Sequence, residues 1–217
     1  YLKNFYYMAK IFITGGISSG KSQFAENKSL ELYKSGIIAD TVTSGVLKNH
    51  NKTNPQNLSL LHFIATAKTN INTNNPDHEM FLKINKHKEK RDKLFIVHEN
   101  FENLVSEIDL ILNSFSDEQI AERCVILIDS MTLWLSSFFK SLEYFDSAEK
   151  AVLKFAEYLS GIKCSVVTVA DSIGFSLVSA DAYVRKFVEL NGLMEQKLSA
   201  VSDKAYYVIA GNPLALK

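Results

Sequence analysis

Short unbroken apolar runs alternate along this chain with longer stretches whose apolar residues recur at helical spacing. Ala9 to Gly15, with Ile11-Phe12-Ile13-Thr14 at its centre, reads as a first strand, and Gly20 to Ser35 as the helix it feeds, ending near Gly36. Lys48 to Ser59 is polar and turn-rich, so it reads as a long surface loop. Leu60 to Ala67 returns as a strand, and a second Asn/Thr-rich loop, Asn70 to Pro76, precedes a helix beginning near Asp77. Leu94 to Val97 is a short strand, and Phe101 to Phe115 is mostly helical. Cys124 to Ile128, C-V-I-L-I, is continuously apolar, as strands buried on both faces of a parallel sheet are. Met131 to Phe139 is apolar nearly all round and belongs in the core or in a subunit contact. Val152, Phe155, Ala156 and Leu159 form a helical stripe with Gly161 as its C-cap. Val166 to Val169 is another buried strand, Phe187, Leu190, Met194 and Leu198 mark a further helix, and Tyr206 to Ala210 is the last strand. This alternation predicts a single α/β domain: a doubly wound, mostly parallel sheet with flanking helices and its ligand at the strands' carboxyl ends.

Composition narrows the picture without changing it. The 217 residues, 47% of them hydrophobic, suit one globular domain with a sizeable core. Formal net charge is zero, so nothing global attracts nucleic acid or an acidic membrane surface. No apolar run approaches the length of a membrane span. Cys124 and Cys164 both lie in strand-like runs and read as buried thiols, which fits a cytoplasmic protein. Tyr1 to Tyr7 lacks the pattern of a signal peptide, and Met8 reads as a natural start. Residues 1–8 are therefore expected to be an extension outside the fold, and residues 9–217 the domain itself.

The chemistry begins at the end of the first strand. Gly15, Gly16, Ile17, Ser18, Ser19, Gly20, Lys21 and Ser22 spell G-G-I-S-S-G-K-S, a P-loop placed between a strand and a helix. Glycines at both ends let such a loop aim several backbone N–H groups at one anion. The helix N-terminus adds partial positive charge. Lys21 then reaches the β- and γ-phosphates, and the Ser22 hydroxyl sits on Mg²⁺. A Gly/Ser-rich turn matching by chance is the bland alternative; the strand–loop–helix frame argues against it. The expected fold is thus P-loop NTPase-like.

Asp129 closes the C-V-I-L-I strand, where a P-loop protein holds Mg²⁺ directly or through water. It would equally suit an N-cap for the segment that starts at Met131, and both roles can hold at once. Lys83 to Lys93, K-I-N-K-H-K-E-K-R-D-K, is basic and contains His87. Such a run is usually a solvated helix face. It would also serve as a clamp on nucleotide phosphates. His87 among cations would be partly neutral near pH 7, as a nucleophile attacking an α-phosphorus must be. The remaining histidines, His50, His62, His78 and His98, show no partner spacing and read as surface or loop residues. No Asn-Lys-x-Asp guanine-reading motif, zinc-ligand spacing or G-x-S-x-G elbow occurs.

Taken together the motifs resemble the bifunctional adenosylcobinamide kinase / adenosylcobinamide-phosphate guanylyltransferase family of cobalamin assembly, over nearly the whole chain from Ile11. I-T-G-G-I-S-S-G-K-S-Q-F-A-E, ending at Glu26, looks like the family's opening strand, loop and helix. Phe63 to Ala67 is similar to its second strand, which implies that Ala65, Thr66 and Ala67 lie against the nucleotide. Glu79-Met80, Lys83-Ile84, His87, Arg91, Phe95 and Glu99 keep the family's order and spacing. The resemblance implies that His87 takes up GMP, and that Lys88, Glu89, Lys90, Arg91 and Glu99 contact the guanine nucleotide. Ile128 to Ser136 and Ala210 to Leu214 also fit the family's pattern. The chain departs from it at Asp171 to Ser179, D-S-I-G-F-S-L-V-S, where the family usually shows Asn-Glu-Val-Gly-x-Gly-Ile-Val-Pro. Glu195-Gln196 replaces the usual Asn-Gln pair, Phe95 replaces a tryptophan, and the two polar loops are insertions.

The resemblance implies an enzyme with Lys21 and His87 as catalytic residues, GTP and ATP as nucleotides and Mg²⁺ held by Ser22 and Asp129. Adenosylcobinamide and its phosphate would be the substrates, adenosylcobinamide-GDP the product, and a homotrimer the assembly. Two other readings compete: a P-loop small-molecule kinase that does not use His87, and a nucleotide-binding homologue that has lost turnover, with the altered 171–179 loop as its sign.

Overall fold

The computed structural model describes residues 8–44, 60–67, 92–115, 123–175 and 177–217, with side chains as far as residue 35 in the first of these. Their elements are β1 (Lys10–Gly15), α1 (Lys21–Ser44), β2 (Leu61–Ala65), β3 (Ile96–His98), α2 (Leu104–Asn113) and β4 (Val125–Asp129). There follow α3 (Met131–Phe138), a 3₁₀ turn (Leu142–Tyr144), α4 (Phe145–Gly161), β5 (Ser165–Asp171), α5 (Ala182–Val201), β6 (Lys204–Ile209) and β7 (Asn212–Ala215). The seven described strands form one sheet in the order β3-β2-β4-β5-β1-β6-β7. Every pairing is parallel except that of β6 with β7.

The apolar runs form strands because both sheet faces are covered. Successive side chains of a strand point to opposite faces, and the two sets pack into two separate clusters. Phe12, Ile126, Ile128, Val166 and Ala170 face one layer with the buried stripes of α2, α3, α4 and α5. Ile11, Ile13, Val125, Leu127, Val167 and Val169 face the other layer with Ala25 of α1. Burial of each large side chain is worth about 1.5–3 kcal/mol, so the central strands are fixed in register from both sides. That is the doubly wound α/β architecture the alternation predicts. Among the described residues no helix is long and apolar enough to cross a membrane.

Several boundaries differ from the sequence expectations. α1 does not end near Gly36 but continues to Ser44; a helix-interior glycine costs only about 1 kcal/mol, too little to stop a helix. The third strand is Ile96–His98 rather than Leu94–Val97. Gly161 is the last residue of α4, and Ile162, in extended conformation, is its cap. Tyr206 to Ala210 is not the last strand: β6 turns through Ala210 (φ 50°) and Gly211 (φ 80°) into antiparallel β7. A two-residue hairpin with positive φ at both turn positions matches the right-handed twist of its strands.

The segment after β4 lies in the core: Met131 and Leu135 of α3 and the following Phe139 are fully buried. Cys124 and Cys164 are buried free thiols, as expected, and burial pushes both thiol pKa values up. Lys10 is buried too. Its Nζ donates to the carbonyls of Ile162 and Cys164, each at 2.8 Å, fastening the start of β1 to the α4–β5 connection. Burial holds this ammonium below its usual pKa, against the opposing pull of Cys164 and Asp203.

His62 and His98 are not the surface or loop residues expected. His62 is buried in β2, with its Nδ1 3.0 Å from His98 Nε2. His98 Nδ1 lies 2.6 Å from Glu107 Oε1 on α2. Three residues thus tie β2, β3 and α2 together through polar groups, inside an edge that apolar patterning alone would leave loosely specified. His50 and His78 lie outside the described residues.

Candidate active site

The carboxyl end of β1 runs straight into the glycine loop. Gly15 is required by close approach: a Cβ built there would sit 2.4 Å from the Val208 carbonyl oxygen and 2.9 Å from Ser19 Oγ. Gly20 (φ +95°) adopts a conformation that side chains rarely reach, and its missing Cβ would stand 3.3 Å from the Gly211 Cα. The loop closes on itself through Ser19 N–H donating to Gly16 O at 3.2 Å. It is fastened to the β6–β7 turn by Gly211 N–H donating to Ser19 O at 2.8 Å. Ser19 Oγ is buried and without a hydrogen-bond partner among the described residues. The first turn of α1 starts at Lys21, so its leading N–H groups have no intrahelical acceptors. A cradle of this kind suits a polyanion.

Lys21 is buried, and its Nζ donates to Gly16 O at 3.1 Å and lies 2.6 Å from Asp171 Oδ1. Asp171 ends β5, directly beside Gly15 in the parallel ladder. Its own position is set by two buried polar side chains. The Asp171 N–H donates to Thr132 Oγ1 at 2.8 Å, and its carbonyl accepts from Asn191 Nδ2 at 2.9 Å. Thr132 and Asn191 also bond each other at 2.9 Å. Ser130 Oγ stands 3.5 Å from the second Asp171 carboxylate oxygen.

Asp129 closes β4 at the same carboxyl edge and is half-buried. The cap of α3 is the next residue: Ser130 Oγ accepts from Leu133 N–H at 3.2 Å, so the capping role considered for Asp129 belongs to Ser130. Thr66, buried at the end of β2, donates its hydroxyl to Ser130 O at 2.6 Å and accepts from Ser130 N–H at 2.9 Å. The sequence-predicted residues Gly15 to Ser22, Ala65 to Ala67 and Asp129 therefore line one carboxyl edge. Glu99 follows β3, with β2, β4 and β5 between that strand and β1, a separation of roughly 19 Å at ordinary strand spacing. His87, Lys88, Glu89, Lys90 and Arg91 lie outside the described residues.

Sequence reasoning missed Asp171 as a site residue, although the signal was there. Asp171 ends an apolar strand just as Asp129 does. Asn191, beside Leu190 on an apolar helix face, was a second signal. Glu195 was a third: one turn after Asn191 on α5, it accepts a short hydrogen bond from the Thr14 hydroxyl of β1. Burial pushes the Glu195 carboxyl above its ordinary pKa; the Thr14 bond opposes the rise and the Asp171 charge adds to it. A raised folded-state pKa contributes stability that is fully present below the unfolded carboxylate value and lost as pH rises through the folded one. Glu195→Gln removes that loss. Urea titrations should find the variant gaining on wild type as pH rises from acid to neutral. A difference that does not change over that range would refute the assignment.

A glycine loop joining a central parallel strand to a helix, with its lysine seated at the carboxyl edge, makes this an α/β protein of the P-loop type. The chain belongs to the CobU family, described as cobinamide kinase / cobinamide phosphate guanyltransferase, whose model matches residues 44–216. The P-loop lies ahead of that span, but two relatives align across almost everything. The bifunctional adenosylcobalamin biosynthesis protein CobP of Pseudomonas aeruginosa is 25% identical over 207 residues, covering 94% of this chain and 95% of that protein. The bifunctional adenosylcobalamin biosynthesis protein CobU of Salmonella typhimurium is 26% identical over 213 residues, covering 95% of this chain and 99% of that protein.

Proposed function

We propose that the chain phosphorylates adenosylcobinamide and then transfers GMP from GTP to the adenosylcobinamide phosphate formed. The observation that carries this reading is the Lys21 ammonium, fixed between the loop carbonyl of Gly16 and Asp171 in a member of this family. In the first reaction the acceptor hydroxyl oxygen of adenosylcobinamide attacks the terminal phosphorus of ATP or GTP, and the nucleoside diphosphate leaves. The loop N–H groups and Lys21 hold the triphosphate and offset the charge of the transferred group. Ser22 and Asp129 supply hard oxygen donors, which suit Mg²⁺. When bound, that ion neutralises phosphate charge. In the second reaction a neutral His87 ring nitrogen attacks the α-phosphorus of GTP, forming a P–N bond as the bond to pyrophosphate breaks. A phosphate oxygen of the second substrate then displaces His87 and takes the GMP. Dividing one hard displacement between two easier ones is what a covalent intermediate achieves. Lys88, Glu89, Lys90, Arg91 and Glu99 bind the guanine nucleotide in this reading. A cytoplasmic homotrimer is its expected form.

GTP labelled at the α-phosphate tests it. After denaturation the protein should carry acid-labile, alkali-stable label, and His87→Ala should lower that label to background. Phosphate transfer without label would leave a plain kinase, and saturable GTP binding without either reaction would leave a binding protein.

A further inference from the structure

The partner that Lys21 has taken carries a consequence for ligand binding. An ammonium has three donors, and two of them are committed to Gly16 O and Asp171 Oδ1. A phosphate oxygen must take the third or displace the carboxylate. The main chain at Asp171 cannot simply follow a departing lysine. Thr132 and Asn191 hold its main-chain N–H and carbonyl, and both are almost wholly buried and bonded to each other. A satisfied buried network of this sort is stiff. The ladder partner of Asp171 is Gly15, the first residue of the loop. A negative charge borne on anchored main chain therefore stands beside the place where a triphosphate would lie.

We propose that Asp171 is a positioning residue that holds the Lys21 ammonium in place for phosphoryl transfer and, by its own charge, weakens the grip on the triphosphate. This rests on the reading above that Lys21 meets the β- and γ-phosphates. The two effects have opposite signs, which distinguishes this role from mere structural support. Neutralising the carboxylate frees the lysine and removes a repulsion, so binding tightens. The same change leaves the lysine stem to wander, so transfer slows.

Calorimetric titration of the full chain with Mg-ATP and Mg-GTP, alongside kcat for phosphorylation of adenosylcobinamide, tests this. Asp171→Asn should lower Kd for the triphosphate about fivefold and lower kcat about tenfold, in a variant that circular dichroism shows to be folded. Asp171→Glu, which restores charge on a longer stem, should return both values toward wild type. The isosteric asparagine leaves the main-chain bonds to Thr132 and Asn191 intact; should it nevertheless fail to fold, Asp171→Ser is measured in its place. Loss of affinity and kcat together in the folded variant, or no change in either, overturns the proposal. Lys21→Ala distinguishes loss of phosphate binding from loss of the Asp171 role. If it binds both nucleotides as well as wild type, the phosphate-binding reading fails and this inference fails with it. If it binds weakly while Asp171→Asn does not bind more tightly, only this inference falls.

Discussion

Lys21→Ala is expected to lower affinity for Mg-GTP and Mg-ATP roughly a hundredfold, because each charge-assisted hydrogen bond to phosphate is worth about 1.5–3 kcal/mol. The variant also leaves the Asp171 carboxylate without its 2.6 Å partner. That charge then faces an incoming polyanion unbalanced, and the two losses act in the same direction. The fold should survive, since the Asp171 carboxylate is partly exposed and water can solvate it once the lysine is gone. Calorimetric titration reads the affinity, and circular dichroism checks the fold. A folded variant whose affinity stays within twofold of wild type would remove Lys21 from the phosphate site.

Gly15→Ala should have the largest effect on stability. The added methyl would lie 2.4 Å from the Val208 carbonyl oxygen. That carbonyl has nowhere to retreat, because Val208 is paired with Gly15 on one side and with Pro213 on the other. Ser19 Oγ, 2.9 Å from the same methyl, would have to rotate away as well. Overpacking against a carbonyl held in the sheet costs about 3 kcal/mol, and the glycine loop would be forced out of its shape. Gly16→Ala is the control: nothing lies within 4 Å of its added carbon, so its unfolding free energy should stay near that of wild type. Urea denaturation compares the two. Equal stabilities for the two variants would mean that β1 and β6 do not approach as closely as described.

The strands were legible in the sequence where burial acts on both faces. Ile11 to Thr14 and Val125 to Ile128 are unbroken apolar runs because two separate layers of side chains demand it. The same logic failed at the edges. β7 contains Pro213 and is exposed throughout, so no alternation or apolar run marks it; an edge strand can hold a proline because one of its sides needs no donor. Its turn was hidden as well, since Ala210 is an unusual residue at φ 50°. His62 misled for a different reason. Its burial depends on His98 and Glu107, which lie 36 and 45 positions further along the chain and meet it only in the folded sheet. At the site, the loop residues could be read directly because their spacing is fixed by local backbone geometry. Asp171 could not be assigned to Lys21 in that way, because 150 residues separate two groups that adjacency of β1 and β5 brings together.

That adjacency also bears on how the chain reaches its working form. Among the described strands β1 pairs with β5 and β6, and both lie in the last third of the sequence. During synthesis the segment bearing the glycine loop emerges before the strands it pairs with among the described residues. If the loop holds nucleotide as proposed, recovery of binding during refolding should report these non-local pairings rather than formation of a local hairpin.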